Sequence, residues 1–353
     1  MHGLRGGLHD APLGNAEKKH HPDALRAIAA TVRAAFSLPL RVTAKLLYVA
    51  RGVAVSHEFV RREERDLGSA EVLAPAGVGT GVYVCDEQYL KVRGREMFRH
   101  AVVDAAATVI AEAVRPDKEE ATIAAFWTRA FEGRPLTAIV TDMDKKYEPA
   151  LDAVVRARFP VLQMGAPRPV LHQFCTFHAQ RWFAHECREA EASARRKEGG
   201  RKTSYDVERS LLRLAFCLDR PKQVAVVRSS LPADHGPWVD RLLARIAAHE
   251  ITPREASRDV LAFLWRGRWA FARRVVKVLE SYRAKWDDLT HFYDHPEIPR
   301  TSNAAEGLFS RTNPERVKRR FRTAAGITAH LSAKYAARRT IQALLAEQKS
   351  LTM

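Results

Sequence analysis

The chain has no run of about 18 consecutive apolar residues, so it offers no stretch able to cross a bilayer as a helix. Its first residues, Met1-His2-Gly3-Leu4-Arg5, do not lead into the long apolar core of a secretory signal. Cysteine is scarce. Four thiols (Cys85, Cys175, Cys187 and Cys217) in 353 residues do not make a disulfide framework. Acidic side chains are in deficit, 41 Asp and Glu against 58 Lys and Arg, which leaves a formal net charge of +17. These shortages argue against a disulfide scaffold and a helical membrane protein. They point to a soluble intracellular chain with a polyanionic partner, nucleic acid before an anionic surface. The length suffices for a sizeable core and more than one domain.

Residues 1 to about 20 are rich in Gly and His and read as poorly ordered. A helical pattern follows from Pro22 to Arg33, and a second begins after Leu38-Pro39. Gly52 then breaks the chain, and Ser56 can cap a helix from His57 to about Asp66. Helix, short Gly turn and capped helix make a helix-turn-helix candidate, with Arg61 and Arg62 near the front of the recognition helix. An ordinary helical hairpin has the same pattern.

Beyond the Gly-rich break at Gly77 to Thr80 the chemistry becomes that of strands. Val82 to Val92, Met97 to Ala105 and Thr108 to Val114 read as three strands, the first two joined by a turn at Gly94. Asp117 to Phe131 reads as a helix, Leu136 to Thr141 as a strand, Lys145 to Arg158 as a helix and Val170 to Phe177 as a fifth strand. Three antiparallel strands, helix, strand, helix, strand is the order of a ribonuclease-H-like α/β fold, a mixed sheet with helices on both faces. From about 181 to 295 the pattern is mostly helical. Trp265 and Trp269, four apart, read as one helix face turned to the core. The division expected is 1–75 for the N-terminal helical region, 76–185 for the first part of the core, 186–295 for a helical insertion and 296–353 for a last acidic helix with basic C-terminal helices.

Three acids stand out. Asp86 follows the apolar strand Gly81-Val82-Tyr83-Val84-Cys85, where burying a carboxylate without a partner or metal is costly. Asp142 ends the strand Leu136 to Thr141, and Glu306 closes Thr301-Ser302-Asn303-Ala304-Ala305-Glu306 at the start of a helix. Two carboxylates on strands and one on a helix can converge on a pair of divalent metals, the arrangement that supports in-line attack at phosphodiesters. Each has a structural alternative: Asp86 can lie on the exposed face of its strand. Asp142 can cap the following helix, with Asp144 competing as ligand, and Asn303 to Glu306 has the spacing of a capping box. Cys175-x-x-His178 can place His178 beside a phosphate, or with His185 and Cys187 make a zinc set of unusual spacing. Arg311, Arg316, Lys318, Arg319, Arg320 and Arg322 follow Glu306 and can each neutralise a phosphate.

Together these segments resemble a DDE transposase, in the broad group of Mutator-like elements and related insertion-sequence enzymes. The likeness rests on Asp86-Glu87-Gln88-Tyr89-Leu90-Lys91-Val92, on Val103-Asp104-Ala105, on Thr141-Asp142 with Tyr147 and Phe159-Pro160, on Cys175-x-x-His178, and on Thr301 to Glu306, in that order. The resemblance implies a ribonuclease-H-like core interrupted before its last acidic helix, and a catalytic triad of Asp86, Asp142 and Glu306 holding two Mg²⁺ (or Mn²⁺) ions. It also implies double-stranded DNA partners, the ends of an element and its target, and a homodimer or higher oligomer on that DNA. The chain departs from the group in its short N-terminal region. The expected location is the cytoplasm, on the nucleoid. A structure-selective nuclease on the same fold, or an inactive DNA-binding derivative, would share most of these features.

Overall fold

The computed structural model of the chain describes residues 22–36, 38–67, 72–160, 169–197, 204–312 and 323–352, with side chains to residue 338. The chain divides into two compact units, one of residues 70–328 and one of residues 1–69 with 329–353.

The larger unit is α/β. Among the described residues, six strands, β1 (Val72–Leu73), β2 (Val82–Val92), β3 (Arg95–Asp104), β4 (Val109–Arg115), β5 (Ala138–Thr141) and β6 (Leu171–Phe174), form one sheet in the order β1-β4-β3-β2-β5-β6. The first four in that order pair antiparallel, while β5 runs parallel to β2 and β6 parallel to β5. The β2–β3 hairpin turns through Arg93 and Gly94, both at positive φ, the backbone that a tight two-residue turn needs.

Alternation along β2 sorts its side chains between two cores. Tyr83 and Cys85 pack with Ile123, Phe126 and Trp127 of α4 (Glu120–Phe131) and Leu151 and Val154 of α5 (Tyr147–Arg158). Val82 and Val84 face the opposite way, onto Ala305, Leu308 and Phe309 of α13 (Asn303–Thr312). Between β6 and α13 lie α6 (Thr176–Lys197), α7 (Asp206–Ala215), α8 (Pro221–Ser230), α9 (Gly236–Ala247), α10 (Pro253–Arg266), α11 (Arg273–Ala284) and α12 (Trp286–Thr290), which share a third core running from Phe174 to Phe292.

The smaller unit has α1 (Asp23–Phe36), α2 (Leu40–Arg51) and α3 (His57–Leu67) around Leu25, Ala29, Leu47, Phe59 and Val60, and the part of α14 (Ala324–Thr352) from Ala329 onward. Gly52 ends α2 at φ +67, and the Ser56 hydroxyl accepts from the Phe59 N–H at 3.0 Å, capping α3. Inside this unit Glu63 accepts from Arg26 at 2.8 Å, and Glu64 pairs with His330 at 2.7 Å and with Arg33 at 3.4 Å.

Three expectations need correction. The fifth strand ends at Phe174 rather than Phe177, because the pairing of β5 with β6 stops at Thr141↔Phe174 and α6 starts at Thr176. Residues 72–73 form a short edge strand, β1, that their sequence did not announce. Trp265 and Trp269 do not share a core-facing helix side: α10 ends at Arg266, and a 3-10 turn, Gly267–Ala270, leaves Trp269 83% exposed.

Candidate active site

β5 stays paired with β2 only as far as Val84↔Val140. The next residue on β2 but one is Asp86, and two residues on from Val140 in β5 is Asp142, so both acids emerge where the parallel pair has ended. A cavity of about 710 Å³ lies there, lined by Asp86, Asp142 and, from α13, Glu306. Glu87, Lys118 and His178 share its wall, and Tyr89, Phe98 and Phe309 close another part of it.

Glu306 gets there because α13 begins one residue earlier than a capping box would require. The Glu306 N–H bonds to the Ser302 carbonyl at 3.2 Å, which makes Ser302 the cap and puts Ala305, not Glu306, at the third helical position. The Glu306 carboxylate stands 3.7 Å from His178 Nε2. Two anchors hold the helix. At its start the Ser302 N–H and hydroxyl reach Cys175 Sγ at 3.2 and 3.5 Å, and the same hydroxyl lies 3.4 Å from His178 Nδ1. At its end Arg99 of β3, buried and paired with Glu112 of β4, donates to the Thr312 hydroxyl at 2.6 Å. Cys175 also ties in the second acid, since its backbone N–H donates to the Thr141 carbonyl at 2.6 Å, next to Asp142.

The charges in this cleft are in conflict. Burial, then the neighbouring Glu87 and Asp142, push the Asp86 carboxyl up to about 7. Burial also pushes Glu87 up to about 7, and its ion pair with Lys118 at 3.1 Å offsets only part of that cost. One oxygen of Glu87 is buried with no hydrogen-bond partner. Asp142 is raised as well, chiefly by burial, although its carboxylate accepts from the Asp144 N–H at 2.8 Å. Asp144 behaves differently: despite burial, Lys118 at 2.7 Å and the Lys146 N–H hold it below its usual range. Its oxygens are therefore engaged by local partners, while Asp142 keeps a place on the cavity wall. The hydrogen bond with Cys175 raises His178 to about 9, helped by Asp86 and Asp142, so the imidazole carries a proton at neutral pH. Burial works to raise the Cys175 thiol, but its contacts with His178 and Ser302 prevail and the net shift is downward.

Crowded, partly protonated carboxylates are the donor set a hard divalent cation satisfies, and oxygen ligands suit Mg²⁺ or Mn²⁺. The orphaned oxygen of Glu87 and the raised acids thus fit such an ion. Among the described residues, no three His, Cys, Asp or Glu side chains close tightly enough to hold one metal by themselves. Cys175 and Cys187 sit in separate surroundings: Cys187 lies in the helical core, its thiol pushed up to about 12 by burial, and His185 is exposed. The four-ligand zinc set does not assemble.

Arg311 is on α13, exposed, while Arg316, Lys318, Arg319, Arg320 and Arg322 fall outside the described residues. Arg61 and Arg62 are exposed on α3 and pair with Glu58 and Glu63. Asp104 closes the β3–β4 turn by accepting from the Thr108 N–H at 2.7 Å, a structural task. Sequence reasoning missed Glu87 and Lys118. Glu87 lay inside the quoted run but reads as the outward neighbour in a strand, and Lys118 precedes a helix without any motif of its own.

No family model matches the chain. Among curated proteins it is similar to an uncharacterized 48.3 kDa protein of insertion element ISM1 from Methanobrevibacter smithii, 18% identical over 330 residues that span 93% of this chain and 70% of that protein. Among solved structures, a chain of the simian T-cell lymphotropic virus intasome in complex with the PP2A regulatory subunit B56 gamma aligns at 10% identity. That alignment covers 56% of this chain and 66% of the other, just under two thirds of its length, with a TM-score of 0.22, too low to carry an argument. Among the described residues no helix is long and apolar enough to cross a membrane.

Proposed function

We propose that the chain is a DDE transposase of an insertion sequence, which cleaves DNA strands at the ends of a mobile element and joins them to a target. The observation that carries this reading is the meeting of Asp86, Asp142 and Glu306, from three distant segments, on the wall of one cavity with His178 among them. The sheet order, with the antiparallel strands β4, β3 and β2 (β1 at their edge) followed by the parallel β5 and β6, supports a ribonuclease-H-like core. The similarity to a protein of an insertion element and the net charge of +17 support a DNA substrate.

In this reading Asp86, Asp142 and Glu306 would hold Mg²⁺ or Mn²⁺, and such ions would supply Lewis-acid stabilisation of the attacking and leaving oxygens. His178 donates from its imidazolium to a non-bridging oxygen of the scissile phosphate. Glu306 orients that imidazolium, and Cys175 and Ser302 keep His178 and the start of α13 in register. Lys118 fixes Glu87 and Asp144 at the rim, so that Asp142 keeps its place on the wall. The basic residues after Glu306 grip the backbone, α2 and α3 act as a helix-turn-helix on element ends, and the active species is an oligomer on DNA.

The test is a duplex carrying an element end, incubated with purified protein and Mg²⁺. Metal-dependent nicking followed by joining to a second duplex is the expected result. Nicking without joining would identify a nuclease instead, and DNA binding without either would identify an inactive derivative.

A further inference from the structure

The helical segment between the second and third acids carries a feature that the proposed reaction does not use. From Arg266 to Lys277 the chain has five basic residues, Arg266, Arg268, Arg273, Arg274 and Lys277, and no acidic one. Within this stretch the 3-10 turn after α10 holds Trp269 83% exposed. Leaving so large an apolar side chain in water forgoes the gain of burying it.

The indole is not loose. The Arg268 guanidinium lies 4.2 Å from the Trp269 ring centroid and 4.4 Å from that of Trp265, and its Nη1 donates to the Trp265 carbonyl at 3.0 Å. Arg283 of α11 lies 4.3 Å from Trp265, which packs against the helical core. Arg283, Trp265, Arg268 and Trp269 thus follow one another from the core outward, cation and ring alternating, and the last ring ends in solvent. Arg274 is engaged by Glu186 at 2.6 Å and Glu189 at 3.5 Å, so it belongs to the scaffold rather than to the surface patch.

We propose that Trp269, backed by Arg268, is a stacking platform for an unpaired DNA base, with Arg266 and Arg273 neutralising the adjacent phosphates. The chemistry selects this occupant. An indole pre-positioned by a guanidinium offers a flat π surface, every nucleobase has a matching face, and the excess of basic residues from Arg266 to Lys277 favours a polyanion over a protein of mixed charge. A paired base presents no free face, so the site reads single-stranded or frayed DNA. The proposal rests on the reading that the chain binds DNA, and not on its cleaving DNA.

The experiment is fluorescence anisotropy of the full chain with a labelled single-stranded oligonucleotide and with the blunt duplex of the same sequence, at one salt concentration. Trp269→Ala should weaken single-strand binding by about 5- to 150-fold, the range expected for one stacked base, and change duplex binding by less than about 2-fold. Trp269→Phe should keep most of the single-strand affinity. At this exposure the substitutions remove nothing from the core, so an unchanged melting curve is expected for both. Unchanged single-strand affinity in Trp269→Ala, or an equal loss on both substrates, would overturn the proposal. So would loss of self-association in light scattering with DNA binding intact, which would assign the indole to a protein contact. A wild-type chain that binds neither oligonucleotide would defeat the DNA reading itself, whereas duplex binding indifferent to Trp269 defeats only the platform.

Discussion

Replacing Asp86 with Asn should stabilise the metal-free protein, and the gain should grow with pH. In the folded chain the Asp86 carboxyl is raised to about 7 from an ordinary 3.8, chiefly by burial and then by Glu87 and Asp142. A carboxyl raised by folding binds its proton more tightly in the folded state. Its contribution is therefore fully present below the unfolded value and is lost as pH climbs towards the folded one. Between about pH 5 and pH 7 this amounts to roughly 1.4 kcal/mol per pH unit, or about 2.7 kcal/mol in all, and nothing further above pH 7. Because Glu87 and Asp142 share the repulsion, about half of that is a fair expectation for a single substitution. An amide of the same shape can still accept from the Glu87 N–H, as the carboxylate does at 2.8 Å. For a unit of this size ~1.4 kcal/mol corresponds to about 3–6 °C in Tm. The assay is calorimetry of EDTA-treated wild type and Asp86→Asn at about pH 5 and about pH 8, repeated with Mg²⁺. The Tm gap should widen at the higher pH, and Mg²⁺ should raise the wild type but not the variant. A gap that does not depend on pH, or a variant less stable at both, would refute the claim that the cleft stores carboxylate repulsion.

Asp142→Asn and Glu306→Gln should each abolish Mg²⁺-dependent nicking while leaving duplex affinity in a gel-shift assay within about 2-fold, since neither contributes positive charge to the backbone grip. Mg²⁺ affinity measured by titration calorimetry should rise with pH and level off above about 7, because Asp86, raised to about 7, must lose its proton to bind. His178→Ala should slow nicking by about 10- to 100-fold, and Cys175→Ser by less. Elemental analysis of protein purified without a metal-affinity tag should find no stoichiometric zinc, and one equivalent would revive the cysteine–histidine set. Ser56→Ala should lower the stability of the smaller unit by about 1 kcal/mol in denaturant melts, through the lost cap of α3.

Much of this architecture was legible because its signals are local. The long strands β2 to β4 announce themselves by β-branched runs, and Gly94 marks the turn between β2 and β3. Asp86 and Asp142 are visible where apolar strands meet a carboxylate. What stayed hidden depends on partners far away in sequence. The end of β6 is set by where β5 stops, not by Thr176 or Phe177 themselves, which have good strand propensity. Trp269 looked buried because a four-residue spacing suggests one helix face, but Gly267 ends the helix between the two tryptophans. For Glu306, singled out as the third acid, the sequence also allowed a capping-box role, and only the helix start shows that Ser302 is the cap. Glu87 and Lys118 are joined to the cleft only by an ion pair between strand and loop, which no spacing rule reveals.

The bond from the Thr176 N–H to the Arg300 carbonyl, 2.8 Å, closes a very long loop: α6 to α12, with a core of their own, lie between the two residues. A growing polypeptide therefore carries Asp86 and Asp142 for a large part of its synthesis with nothing opposite them. Closure at so large a sequence separation is slow, and Glu306 emerges long after Asp86 and Asp142. A message broken or frameshifted anywhere in the intervening helices would yield a fragment with two of the three acids and no way to bring in the third. Under the proposed transposase reading, such a fragment would lack cleavage activity.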